Sequence, residues 1–217
     1  MKIAILTPDR GDRNEFNTQY MQTIEKQTMQ PDRISWLRYA PKSDKVDITE
    51  RYRIGYEALS KTDCDAILFM EIDDYYAENY IETIVNEWIN VGKPDLFGTT
   101  YTYFYNIRTK EYFKFTHHQR SMAMATLIKP NLNINWGADE NPYTDVTLYS
   151  QLNYKLFTPE KPICIGIKHG IGLCGGAFHN TNMETYKTHG TQDKNMDFLK
   201  QHVDKESFEF YKNLFAN

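Results

Sequence analysis

Three carboxylates, Glu71, Asp73 and Asp74, close an apolar run in this chain of 217 residues. Negative side chains gathered at one strand end repel one another unless a counter-charge offsets them. A hard divalent cation does this, and Mg²⁺ and Mn²⁺ both suit such oxygen ligands. Glu71 and Asp73 lie two residues apart and share one face of an extended chain. Asp74 is expected on the other face, or at the opening of the next turn. A purely structural reading competes: Asp73 and Asp74 would cap a helix beginning near Glu78. Two further clusters combine charge with strand-end position. One is Thr7-Pro8-Asp9-Arg10. The other is Lys168-His169, followed by Gly170, Gly172 and the pair Gly175-Gly176.

The elements that must position these residues alternate. Residues 2–7 (KIAILT), 33–39 (RISWLRY) and 65–72 (DAILFMEI) read as strands, the last apolar enough to be covered on both faces. Between and after them, helical spacing predicts helices over 14–28, over 48–60, and from Tyr80 through Ile89, the last ended by Gly92 and Pro94. A β-α-β-α-β-α order means a mostly parallel sheet with helical crossovers, and ligands there bind at the carboxyl ends of the strands. The second half predicts a hairpin of strands 96–106 and 111–117 around residues 107–110. It also predicts a strand over 122–129, a helix that Thr144 could cap, a strand over 163–168, and two short helices after Asp193. The expectation is one domain, with a nucleotide-sugar-binding half over 1–95 and an acceptor half over 96–217.

Bulk properties narrow the classes. Net charge is −4, and no Lys/Arg run marks a phosphate-backbone stripe; composition does not ask for nucleic acid as a partner, nor does it exclude it as an acceptor. Three cysteines without CxxC spacing argue against a disulfide framework or a zinc site. The apolar run after Met1-Lys2 is too short for a signal peptide, and no stretch approaches transmembrane length, so a cytoplasmic location is expected.

The segment Cys64 to Asp74 resembles the strand and DxD segment of GT-A glycosyltransferases, especially glycosyltransferase family 2, with Glu71 standing where the family's first Asp usually stands. Other segments resemble that family in the same order. Thr7-Pro8-Asp9-Arg10 matches the first-strand end that holds uracil and ribose, and Gln27-Thr28 matches the end of the first helix. Arg53-Ile54-Gly55 matches the family's Asn-x-Gly helix near the nucleotide, with Arg53 in place of Asn. The resemblance covers residues 1–90 well. It implies a GT-A α/β fold with a smaller antiparallel acceptor-side part. The implied reaction is metal-dependent transfer of a sugar from a nucleotide sugar, with UDP first in view, to a hydroxyl acceptor, with inversion.

By that resemblance Asp73 binds Mn²⁺ or Mg²⁺, and Glu71 reaches the ribose or the metal's waters. A base that takes the acceptor's proton belongs at the start of a late helix, where Asp145 is the first match and Asp139 or Glu140 the reserve. Asp145 could instead only complement the helix dipole. His169 is the expected late metal ligand, with His179 as the second choice. Lys168 would hold phosphate oxygens, and the glycines after it would let the chain approach a diphosphate closely. His117 and His118 follow a predicted strand and are expected in an exposed loop. A retaining mechanism needs no base at Asp145. Two other functions stay open: a nucleotidyltransferase on a similar sheet, although the loop after the first strand holds a single glycine, Gly11, and a non-catalytic module that binds a nucleotide or glycan.

Overall fold

The structure is a computed structural model that describes residues 1–41, 43–171 and 189–215. Its first sheet has six strands. In chain order they are β1 (Ile3–Asp9), β2 (Arg33–Arg38), β3 (Ala66–Phe69), β5 (Leu96–Thr99), β8 (Thr126–Ile128) and β9 (Tyr154–Phe157), arranged β2-β1-β3-β8-β5-β9. Only β8 runs against its neighbours. The second sheet contains β4 (Tyr75–Tyr76), β6 (Tyr101–Asn106), β7 (Glu111–Thr116), β10 (Cys164–Lys168) and β11 (Thr191–Gln192), in the order β11-β7-β6-β10-β4. It is antiparallel except for the β6–β10 pair.

Period-two alternation explains how the first sheet is covered. Ile3, Ile5, Ala66, Leu68, Phe97 and Leu127 face α1 (Asn17–Glu25) and α3 (Tyr80–Asn90), packing with Tyr20, Ile24, Ile84 and Trp88. The alternate residues Ala4, Leu6, Ile67, Phe69, Leu96 and Ile128 pack with Tyr52, Tyr56 and Leu59 of α2 (Ile48–Ser60) and with Leu148 and Tyr149 of α4 (Thr144–Tyr149). Each such aliphatic or aromatic side chain contributes about 1.5–3 kcal/mol when fully buried. Two glycines serve this packing. Gly55 lets α2 lie against β1, since a Cβ there would stand 2.1 Å from Leu6 Cδ1. Gly92, at φ +89, ends α3: its N–H bonds Ile89 O while Lys93 N–H bonds Trp88 O, the double closure of a Schellman motif. Two helices close the chain, α5 (Asp197–His202) and α6 (Lys205–Asn213). The second is capped by Asp204, which accepts from Glu206 N and Ser207 N.

Several expectations shift. The helix over 14–28 is a 3-10 turn, Asn14–Phe16, leading into α1. The strand expected over 96–106 is two strands in different sheets. At the crossing the Thr99 hydroxyl bonds Tyr101 O and Thr100 N–H bonds Phe157 O, so the chain steps from one layer to the other. The strand over 122–129 shrinks to β8 behind a 3-10 turn, Ala123–Ala125. No side-chain cap forms at α4, where Thr144 lies inside the helix and Tyr143 precedes it. Cys64 and Cys164 are buried free thiols. No helix among the described residues is long and apolar enough to cross a membrane.

Candidate functional site

Parallel pairing of β1 with β3 brings their carboxyl ends side by side, with Leu6 opposite Phe69. Past Phe69 the ladder stops. Met70 N–H still reaches Leu6 O, but Glu71 N–H donates to Tyr76 Oη at 2.6 Å, and residues 72–74 turn into β4. That turn overrides the expected alternation. Instead of pointing away, Asp74 converges with Glu71 and Asp73, and one oxygen from each lies within 4.8 Å of the others. The capping alternative does not hold, because α3 begins at Tyr80 with Asn79 at its N-cap and no side-chain cap.

Each carboxylate commits one oxygen to a protein donor. Glu71 Oε1 accepts from Tyr52 Oη at 2.9 Å. Asp74 Oδ1 accepts from Ile167 N at 2.8 Å. Asp73 Oδ2 takes both Arg13 Nη1 at 2.5 Å and His169 Nε2 at 2.7 Å, while its Oδ1 is buried without a hydrogen-bond partner among the described residues. A buried carboxylate oxygen with no donor is costly alone, and a hard cation is the group that would satisfy it. Three carboxylate groups converging on one point, with a spare oxygen on Asp73, fit Mg²⁺ or Mn²⁺.

The charges are unevenly balanced. Burial would push Asp73 up, but Arg13, then the His169 hydrogen bond and Lys168, hold it well below the usual carboxylate range. Burial, with Asp73 beside it, raises Glu71 against the pull of Lys168. Burial raises Asp74 well above its ordinary value, more than Lys168 lowers it, and Asp73 and Glu71 add to the rise. Without a cation, therefore, burial and its neighbours favour the ionised form of Asp73 most and the neutral form of Asp74 most.

His169 is fully buried. Its Nδ1 accepts the Ile171 N–H at 3.1 Å, which leaves the proton on Nε2, aimed at Asp73. Both ring nitrogens are thus engaged, and the carboxylate cluster among the described residues is made of Glu71, Asp73 and Asp74, with His169 bonded to Asp73. Phe16 packs on the ring at 4.5 Å between centroids. His179, Gly172 and Gly175-Gly176 lie outside the described residues.

The carboxylates open into a cavity of about 160 Å³, also lined by Arg13, Tyr52, Phe104, Thr144, Asp145 and Lys168. Helix α4 thus carries Asp145 into the lining of the same space. Arg120 Nη1 contacts Asp145 Oδ2 as an ion pair. Lys168 at the end of β10 lies over the Phe104 ring, 4.8 Å from its centroid. The reserve candidates do not line this cavity: Asp139 pairs with Arg53 at 3.0 Å and Glu140 with Lys45 at 3.8 Å.

The residues of the β1 end are tied up within the protein. The Thr7 hydroxyl contacts Tyr20 Oη, and Pro8 sits in register with Leu37 of β2. Asp9 is buried, with Oδ1 accepting from Gly11 N and Oδ2 from Trp36 Nε1, both at 2.8 Å. Arg10 binds Asp47 at 3.1 Å and Asp12 at 3.2 Å. His118 is exposed as expected, but His117 is 4% exposed and neither ring nitrogen has a partner. Burial, then Arg120 and His118, push its pKa down to about 4. Sequence reasoning passed over Arg13, Tyr52 and Arg120. Arg13 lay in the flagged polar loop, but nothing local paired it with Asp73, 60 residues away.

No family model and no curated protein matches the chain. Among solved structures the fold is similar to that of S. aureus TarS 1-349 in complex with UDP, with TM-score 0.51 and 12% identity over 77% of this chain and 60% of that one. The same TarS fragment in complex with UDP-GlcNAc gives TM-score 0.50 and 12% identity, over 77% of this chain and 59% of that one. The protein A197 from STIV gives 0.49 and 13%, over 73% and 82%. The chain therefore spans about 60% of the length of the TarS fragment. The likeness to TarS shows the fold, a GT-A-like α/β arrangement with a second, smaller, mostly antiparallel sheet.

Proposed function

We propose that the protein is a metal-dependent glycosyltransferase. It moves a sugar from a nucleoside-diphospho-sugar, with UDP as the first choice of nucleotide, to a hydroxyl acceptor with inversion. The observation that carries the reading is the acidic turn: three converging carboxylates, one bearing a buried oxygen unpartnered among the described residues, line one cavity with Asp145. The fold is shared with TarS, a GT2-like glycosyltransferase whose structures hold UDP and UDP-GlcNAc.

In this reading Asp73, with Glu71 and Asp74, holds Mn²⁺ or Mg²⁺. Such an ion supplies neutralisation of the charge that builds on the departing diphosphate. Arg13 and His169 position Asp73. Lys168 binds phosphate oxygens and stabilises the same developing charge. Asp145, oriented by Arg120, takes the proton of the acceptor hydroxyl as that oxygen attacks the anomeric carbon. The diphosphate and the reacting groups occupy this cavity. The nucleoside then lies beyond it, toward the β1 end and α2. Thr7, Pro8, Asp9, Arg10 and Arg53 contribute there by shaping backbone and rim. Residues 1–95 form the donor half and 96–217 the acceptor half.

The test is product analysis on a panel of nucleotide sugars with Mn²⁺. Release of a nucleoside diphosphate, lost when the metal is chelated, is expected. Release of pyrophosphate would instead make the enzyme a nucleotidyltransferase. Tight donor binding with neither hydrolysis nor transfer would make it a binding module.

A further inference from the structure

The sequence has no long basic run, yet the fold gathers one. Lys110 comes from the turn between β6 and β7, Lys194 from the loop before α5, Lys200 from α5, and Lys205 and Lys212 from α6. All five are exposed, and together they line an open groove of about 700 Å³. Among the described residues only Lys212 has an ion-pair partner, Glu209 at 3.6 Å. Among the described residues Glu209 and Asp197 are the only acidic ones lining the groove, so the described lining carries three net positive charges on a chain whose net charge is −4. The floor is apolar, built from Ile107, Met196, Val203 and Phe208. Next to it, Arg108 of the same turn lies 5.6 Å from the ring centroid of Phe215, which is 43% exposed just past α6.

A concave line of lysine ammonium groups with an exposed aromatic ring beside it is the combination that tracks a phosphodiester backbone while a base stacks on the ring. We propose that this groove binds single-stranded nucleic acid without sequence preference. Concavity argues for this over an anionic membrane. The lysines line a groove, whereas a lipid surface is met by a flat or projecting face. The groove shares no lining residue with the acidic cavity, and the inference does not depend on the transferase reading.

The experiment is fluorescence anisotropy with a labelled oligothymidylate of about 15 nucleotides, a length within single-strand site sizes. Each lysine–phosphate contact adds about −0.7 to the slope of log K against log salt, so the five lysines predict a slope of about −3.5. The double substitution Lys194→Glu with Lys200→Glu should weaken binding at least about tenfold and flatten the slope by about 1.4, since two contacts are removed. Both side chains are exposed, so the melting temperature should be unchanged. Phe215→Ala should weaken binding while leaving the slope unaltered. Absence of wild-type binding at about 50 mM salt, where phosphate contacts are strong, would overturn the proposal. So would equal binding by the double variant. Vesicles rich in anionic lipid serve as the contrasting probe: binding to them but not to the oligonucleotide would reassign the groove to a membrane.

Discussion

Asp74→Asn separates the charge argument from simple disruption of the fold. Asp74 is 6% exposed, and burial together with Asp73 and Glu71 raises its pKa well above the ordinary value, which favours its neutral acid form when no cation is present. Asparagine has nearly the shape of that neutral acid, and its Oδ1 can still accept the Ile167 N–H that Asp74 accepts at 2.8 Å. The cation-free variant should therefore lose no more than about 1 kcal/mol, the net scale of one altered hydrogen bond. Asp73→Asn is the contrast. It removes the carboxylate hydrogen-bonded to the Arg13 guanidinium, which is 9% exposed and keeps only the longer 4.0 Å pairing with Asp12, a loss of up to about 3–5 kcal/mol. A ligand at about a hundred times its Kd stabilises the folded state by about 2.7 kcal/mol. For a chain of this size that raises Tm by about 5–11 °C. Melting with and without MnCl₂ and UDP should show this rise in the wild type and nearly none in Asp74→Asn. The sign with pH follows from the same proton. The cation must displace it, so the rise in Tm should grow as pH increases. A full Mn²⁺ response in Asp74→Asn would place the metal elsewhere. A cation-free melting point lowered by the equivalent of 3 kcal/mol or more would mean that Asp74 is ionised in the resting protein, contrary to the argument.

Three further outcomes are expected. Asp145→Asn should leave the UDP-dependent rise in Tm intact while transfer falls about 10²–10⁴-fold, the usual size of a lost general base; loss of UDP binding instead would count against that role. Gly55→Ala should cost about 1–3 kcal/mol by chemical denaturation, because its methyl group would meet Leu6. His117 has a folded pKa pushed down to about 4, so the unfolded chain takes up its proton first. Stability conferred by the neutral ring is complete above the unfolded pKa of about 6.5 and is lost as pH falls toward 4, by up to about 3 kcal/mol. His117→Leu should flatten the stability curve in that window relative to wild type; an unchanged curve would show that the ring is solvated.

Legibility tracked local signal. Helix α2 stands at the predicted 48–60, because apolar residues at helical spacing recur through Ile48, Tyr52, Gly55 and Leu59. The acidic turn was visible as a motif, but the convergence of Asp74 was not, because it depends on Tyr76 and Ile167 capturing groups of the turn from β4 and β10. Strand β9 went unread because it is an edge strand, mostly half-exposed, without clean alternation. Strands β4 and β11 are two residues each, below any periodic signal. The split at Thr99 was hidden by an unbroken run of β-formers, since which sheet a strand joins is a long-range decision. Arg13, Tyr52 and Arg120 each meet a carboxylate at least 19 positions away, and the lysine groove joins residue 110 to residues 194–212.

The acidic turn has one end anchored in each sheet. Its leading residues leave β3 of the first layer, and its trailing residues become β4, which is zipped to β10 of the second. Any hinge-like rocking of one layer on the other must therefore open or tighten the ring of oxygens. Ion preference becomes a readout of that tilt. Substitutions that wedge the layers apart near Ile163, which packs in the core cluster shared with Leu68 and Phe97 of the first sheet, should favour roomier Ca²⁺ over Mg²⁺ without touching a ligand.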